Sequence, residues 1–116
     1  MMIIRHLFRA PINSLRGFKQ TWTLELAFRL EVVGCILILP LVFWWNTPFI
    51  NKLFVIFSLF IMFIAELLNT AIEKANDAYK KTEDPLIRIS KDAASAAVFL
   101  SICLVGLSLF NLICSQ

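Results

Sequence analysis

Hydrophobic residues occur along this chain in long runs that are separated by short polar segments. Three runs stand out, and they cover residues 32–45, 53–65 and 93–114. Only the third reaches the roughly 20 residues that a helix needs to cross a bilayer. The first two become long enough if their helices continue through residues 27–31 and 66–69, which carry charged side chains. The pattern predicts three membrane-spanning helices.

Before the first run, apolar residues recur every three to four positions, and basic residues occupy the other faces. The apolar set is Ile4, Leu7, Phe8, Ile12, Leu15, Phe18, Trp22 and Leu26. This spacing is typical of an amphipathic helix that lies on a membrane surface. Pro11 is expected to kink this helix or to begin a new one. A cleavable signal peptide is not expected, because charges interrupt the apolar positions every few residues.

Composition supports lipid as the surroundings of this chain. It is 59% hydrophobic and 16% charged, and its mean hydropathy is +0.80, far from the average of soluble proteins. We therefore expect an all-α integral membrane protein that forms a single domain, residues 1–116. Its parts are a surface helix over residues 1–28 and transmembrane helices over residues 29–46, 52–70 and 92–114.

The positions of lysine and arginine predict the orientation in the membrane. Five precede the first span, Lys52 follows it, five lie between Lys74 and Lys91, and none come later. The positive-inside rule places the N-terminus and the second loop in the cytoplasm. Anionic lipid headgroups account for the net charge of +3 better than nucleic acid does, so no nucleic-acid partner is expected.

A stripe of acidic and amide side chains follows directly on the second apolar run. Glu66, Asn69, Glu73 and Asp77 are separated by three, four and four residues, which places them on one helix face. Such groups are costly in lipid unless they face an interior filled by water or by a partner. The stripe therefore predicts a site for chemistry or for ion movement at the membrane boundary.

Lys91 and Asp92 open the third span where the acidic stripe closes the second, so opposite charges are expected to meet there. Carboxylates and a lysine suit phosphoryl transfer, which needs a metal on the nucleotide phosphates and a cation on the transferred group. The sequence has no GxxxxGK[ST] loop and no kinase-type GxGxxG motif. Any nucleotide site is therefore not of a common kind.

Three segments resemble the signature segments of the prokaryotic diacylglycerol kinase family. They are ELAFRLE, ELLNTAIE and KDAASAAV, and the spacing from ExxNxAxE to KD also fits the family. The resemblance extends from about Phe8 to the third span. It implies a homotrimeric bundle with three transmembrane helices and one surface helix per chain. It also implies the bacterial cytoplasmic (inner) membrane as the location, with a cytoplasmic N-terminus.

The resemblance implies a reaction as well. The chain would phosphorylate the hydroxyl of diacylglycerol with ATP and so form phosphatidic acid. Glu66 would be the general base, and Asn69 would orient that acid or the lipid. Glu25 and Glu73 match the family positions that hold Mg2+ against ATP.

Further family contacts map onto this chain. Lys91 would neutralise developing phosphate charge, and Asp92 beside it would complete the nucleotide site. Lipid contacts besides Glu66 are implied at Ser14, Lys19, Trp22, Ala27, Phe28, Arg29, Glu31, Trp44 and Ser95. The chain departs from the family's pattern of nucleotide contacts at four positions, His6, Asn13, Thr82 and Asp84.

Other interpretations remain open from the residues. An undecaprenol kinase of the same family would share Glu66, Glu73 and Lys91 and differ in how it receives the lipid tail. A small oligomeric ion or proton carrier would use Glu66 and Glu73 as a relay, and a membrane assembly protein would use them as interhelical clamps. Glu25 and Arg29 also suit a helix ion pair, and Lys91 suits a snorkelling anchor.

Overall fold

The computed structural model describes residues 2–79 and 84–115, except for the side chains of residues 6 and 8. The described residues form four α-helices and no β-strand. The helices are α1 (Met2–Leu24), α2 (Leu26–Trp44), α3 (Phe49–Tyr79) and α4 (Pro85–Cys114). The predicted all-α class, with an N-terminal helix and three candidate membrane spans, is confirmed.

Helices α2, α3 and α4 are long and apolar enough to cross a membrane. At 1.5 Å per residue, the 19 residues of α2 extend about 28 Å, close to the thickness of the hydrocarbon core. The 31 residues of α3 and the 30 of α4 exceed that thickness. The helices continue across residues 27–31 and 66–69 as the pattern predicts, so charged turns extend the apolar spans.

Only Glu25 separates α1 from α2, and its backbone is extended, with φ −117° and ψ 110°. Its N–H donates to the carbonyl of Thr21 at 2.9 Å, and its own carbonyl accepts from the N–H of Arg29 at 3.3 Å. Backbone hydrogen bonds therefore bracket the break on both sides. Pro11 lies inside α1 and begins no new helix there.

The start of α4 is capped by a side chain. Oδ1 of Asp84 accepts the N–H of Leu86 at 2.9 Å, and Pro85 occupies the first turn, where its missing N–H has no cost. The cap satisfies one of the backbone donors that every helix start leaves unpaired. It fixes where the second of the two long helices begins.

Helices α3 and α4 form an antiparallel hairpin that carries most of the contacts between helices. Three side-chain hydrogen bonds join them: Asn111 Nδ2 to Asn51 Oδ1 at 2.9 Å, Ser58 Oγ with Ser108 Oγ at 2.9 Å, and Asn76 Nδ2 to Ser90 Oγ at 2.8 Å. In lipid, helices associate through packing and such hydrogen bonds, because the apolar tails supply no hydrophobic driving force. The three bonds fix the register of the hairpin.

Helix α2 packs against α3 at two levels. Near the short turn that joins them, a buried cluster contains Val42, Val55, Leu59, Met62 and Leu112. Near the start of α2, the rings of Phe28 and Phe63 meet edge to face with centroids 5.6 Å apart. These contacts set which residues of α2 face α3 at the level of the acidic stripe.

The two ends of the bundle differ in chemistry. We call the end that carries Glu31, Glu66 and Lys91 the charged end, and the end that carries residues 45–51 and 111–115 the turn end. In the most apolar 18-residue stretch of each span, only 17% (α2), 33% (α3) and 17% (α4) is buried within one chain. Most of their surface therefore remains for contact with lipid or with other proteins.

Candidate active site

Two acids from different helices meet inside the charged end. Glu66 on α3 is only 8% exposed, and its carboxyl group lies close enough to that of Glu31 on α2 for the two to interact. Oε2 of Glu31 is buried and has no hydrogen-bond partner among the described residues. A buried carboxyl oxygen without a partner is unfavourable. The sequence indicates a functional role for Glu66 and for Glu31, but it does not predict that the two are in contact.

The aromatic contact between α2 and α3 lies on the helix faces that carry these acids. Glu31 follows Phe28 by three residues, and Glu66 follows Phe63 by three residues. Residues three apart lie on the same face of a helix. The edge-to-face contact of the rings therefore holds α2 against α3 on the helix faces that carry the two carboxyl groups.

Asn69, on the same face of α3 as Glu66, also borders α4. It is half-buried and lines a groove of about 730 Å³ between α3 and α4. Across the groove, α4 presents the small side chains of Ser90, Ala94 and Ala97. The polar amide thus faces an apolar groove with room for further atoms.

A second cavity, of about 430 Å³, lies between α1 and α3. Leu24 and Lys74 line it, and the half-buried acids Glu25 and Glu73 are their immediate neighbours in the chain. The fold therefore places Glu25, in the joint after α1, and Glu73, on α3, next to residues that line one cavity.

The side chains available as ligands determine what kind of metal site the charged end could form. Residues 2–79 and 84–115 contain no group of three or more histidine, cysteine or acidic side chains placed to hold a metal ion. Mg2+ is usually bound by one or two carboxylates together with substrate phosphates rather than by a cage of protein ligands. Glu25 and Glu73 therefore fit a metal that arrives with a nucleotide.

Lys91 forms an ion pair with Asp77, whose Oδ1 lies 3.9 Å from Nζ of the lysine. The expectation that opposite charges of the second and third spans meet at this boundary is confirmed. The alternative of an ion pair between Glu25 and Arg29 is wrong, since these two described residues share only a backbone hydrogen bond. Asp77 belongs to the predicted stripe but was given no role there.

The remaining residues expected to bind nucleotide or lipid are spread over the molecule. Asp92 and Ser95 are exposed on α4, and Trp44 is 79% exposed at the turn end. Ser14 and Ala27 are exposed and Arg29 is half-buried. The fold thus does not gather all predicted contacts in one place.

Part of the expected lipid set does come together. Lys19, Trp22 and Phe28 line a cavity of about 450 Å³ between α1, α2 and α3, together with Phe60 and Phe63. Its walls are almost entirely apolar side chains, with the lysine as the one charged member among the residues that line it. This cavity suits the apolar part of a lipid next to its polar group.

The four positions that depart from the family pattern lie in different parts of the chain. Asn13 is exposed on α1, and Asp84 caps α4. Thr82 and the side chain of His6 lie outside the described residues.

Comparison with known proteins places the chain in a family. The model of the family "Prokaryotic diacylglycerol kinase" matches residues 12–113. The chain is 33% identical to a diacylglycerol kinase of Haemophilus influenzae over 90% of its own length and 88% of that protein. It is 34% identical to one of Helicobacter pylori, with 94% and 81% covered, and 32% identical to one of Escherichia coli, with 83% and 79% covered. With its helical membrane architecture, the chain therefore belongs to the prokaryotic diacylglycerol kinase family.

Proposed function

We propose that this chain transfers the γ-phosphate of ATP to the hydroxyl of diacylglycerol and so forms phosphatidic acid. The names of its relatives support this activity. The observation that carries the proposal is the pair formed by the buried Glu66 and the half-buried Glu31 at the charged end of the membrane spans. A lipid hydroxyl and a water-soluble nucleotide can both reach this level of a bilayer.

Glu66 acts as the general base in this proposal. It accepts the proton of the lipid hydroxyl as that oxygen forms a bond to the γ-phosphorus and the bond to the bridging oxygen of ADP breaks. General bases of this kind contribute about 10²- to 10⁴-fold to a rate. Asn69, one turn further along α3, orients the acid or the lipid, and Glu31 contacts the substrate beside Glu66.

The nucleotide is held by charged groups around the site. Lys91 neutralises charge on the phosphates, and Asp92 completes this side. Glu25 and Glu73 hold Mg2+ together with ATP, and the bound metal supplies positive charge to the phosphate oxygens. Enzymes that transfer the γ-phosphate of a nucleotide rely on positioning and charge stabilisation of this kind more than on covalent chemistry.

The lipid enters sideways from the bilayer. The cavity lined by Lys19, Trp22 and Phe28 is the proposed place for its apolar part near the headgroup. Further lipid contacts are proposed at Ser14, Ala27, Arg29, Trp44 and Ser95. We place the N-terminus and the charged end in the cytoplasm, where ATP is present, because the basic residues flank these segments.

The chain is proposed to act as a homotrimer in the bacterial cytoplasmic membrane. The small buried fraction of its spans leaves surface for neighbouring subunits. The groove that contains Asn69 would then be closed by a second copy.

The test is transfer of labelled γ-phosphate from ATP by the purified protein in lipid micelles, with and without Mg2+. Diacylglycerol and undecaprenol are supplied in parallel. We expect transfer to diacylglycerol, and preference for undecaprenol would assign the chain to that substrate instead. Transfer to neither by a folded protein would favour an ion carrier or a structural clamp.

Glu66→Gln tests the mechanism, because glutamine keeps the shape and hydrogen bonding of the side chain but cannot act as a base. We expect transfer to fall at least about 10²-fold with the same helical content. Retained transfer in Glu66→Gln would refute its role as the base and favour an interhelical clamp.

A further inference from the structure

Two polar pairs lie side by side where α3 ends and α4 begins. Nδ2 of Asn76 donates to Oγ of Ser90 at 2.8 Å, and Lys91 faces Asp77 at 3.9 Å. Asn76 and Asp77 are consecutive on α3, and Ser90 and Lys91 are consecutive on α4. The position of one pair therefore sets the position of the other.

The hydrogen bond between Asn76 and Ser90 is fully assigned. The hydroxyl of Ser90 donates its single proton to the carbonyl of Ile87 at 2.8 Å and uses a lone pair to accept from Asn76. Both groups are partly buried. This bond therefore fixes the register of the first turns of α4 against the end of α3.

The neighbouring ion pair of Lys91 and Asp77 is weak, so another anion can replace Asp77 as the partner of the lysine. The side chains of Lys91 and Asp77 are 48% and 56% exposed, and their charged atoms lie near the outer limit for a salt bridge. Exposed pairs of this kind contribute little because water screens them. A nucleotide phosphate offers more negative charge and more acceptor oxygens than one carboxylate does.

We propose that Asp77 is the resting counter-ion of Lys91, which nucleotide phosphate displaces, and that the bond between Asn76 and Ser90 holds the two charges opposite each other. Asp77 thus acts on the nucleotide through Lys91 as a positioning residue. The inference rests on the proposed function of Lys91. It predicts that Asp77 competes with ATP before the reaction and does not take part in phosphoryl transfer.

The test is the KM for MgATP of Asp77→Asn, measured with saturating diacylglycerol in micelles. Loss of the competing carboxylate should lower KM about two- to fivefold, the ratio given by an exposed ion pair of up to about 1 kcal/mol. The kcat should stay within about twofold, because Asp77 is displaced before the reaction and binding of the ground state and of the transition state changes equally. A merely structural residue would change kcat and the melting temperature instead.

Asp84→Asn is the matched control for net charge. It removes one negative charge from the start of α4, the helix that carries Lys91, and asparagine preserves the cap on Leu86. Its KM for MgATP should stay near that of the wild type. An equal fall in both variants, or a raised KM in Asp77→Asn, would overturn the counter-ion role.

The register is tested by combining Asp77→Asn with Asn76→Ala. If the hydrogen bond holds the charges opposite each other, Asp77→Asn should have no further effect on KM in the Asn76→Ala background. Strictly additive effects would contradict the proposed coupling. Absence of transfer by the wild type would refute the proposed function, whereas transfer with an unchanged KM in Asp77→Asn refutes this inference alone.

Discussion

Replacement of Asn111 by leucine tests the hydrogen bonds that join α3 and α4 at the turn end. Nδ2 of Asn111 is the donor to Oδ1 of Asn51, and Asn51 is only 7% exposed. Its own amide nitrogen donates to Thr47 and cannot satisfy this oxygen. Leucine keeps the branched shape but removes the donor, so the side-chain carbonyl of Asn51 loses its partner on α4.

The expected cost follows from that geometry. Hydrogen bonds between membrane helices contribute about 0.6 kcal/mol on average and up to about 1.7 kcal/mol. The loss in Asn111→Leu should lie in the upper half of that range, because Asn51 has no second donor for this oxygen among the described residues. Reversible unfolding in micelles with increasing dodecyl sulfate measures it. Phosphoryl transfer should be unchanged in the folded protein, because the pair lies at the opposite end from the acids.

Ser58 and Ser108 provide a matched comparison within the same hairpin. Each hydroxyl has a second acceptor on its own helix, the carbonyls of Val55 and Val105. A hydroxyl has one proton, so each serine keeps a hydrogen bond when the other is replaced by alanine. A double-mutant cycle should give a smaller coupling energy for the serines than for Asn51 and Asn111. Equal coupling energies, or no cost in Asn111→Leu, would refute the reasoning from partner number.

Two further predictions concern the charged end. Phe28→Leu removes the ring contact with Phe63, which is worth about 0.5–1.5 kcal/mol beyond its buried area. Transfer should fall more than the folded fraction does, because α2 packs less tightly against α3 on the faces that carry Glu31 and Glu66. Activity normalised to folded protein measures this, and an unchanged value would contradict it. Asp84→Ala should destabilise the protein by about 1 kcal/mol through loss of the α4 cap, whereas Asp84→Asn should not, as chemical unfolding of both variants would show.

The membrane helices and the acidic stripe follow from the sequence because their signals are local. Apolar runs set the spans, and the spacing of Glu66, Asn69 and Glu73 sets their common direction on α3. The partners of these groups depend on contacts between helices. Glu31 meets Glu66 because of how α2 packs against α3, and no periodicity within one segment contains that information.

Asp77 and Pro11 show the limits of local rules in two other ways. The stripe gave the direction of Asp77, but its pairing with Lys91 depends on the register of α4, which Asn76 and Ser90 fix across the loop. Pro11 begins no new helix, although an interior proline costs about 3 kcal/mol. It is exposed, and at a membrane surface the carbonyl that it leaves unpaired can bind water.

The break at Glu25 couples α1 to the proposed site. One extended residue joins α1 to α2, and hydrogen bonds on both sides keep that joint short. Any rise, sinking or tilt of α1 in the headgroup layer is therefore transmitted directly to the carboxylate proposed to hold the metal. A bilayer whose thickness or surface charge shifts α1 would change the height of Glu25 relative to Glu73. The catalytic rate of such a protein would report the physical state of the membrane in which it is embedded.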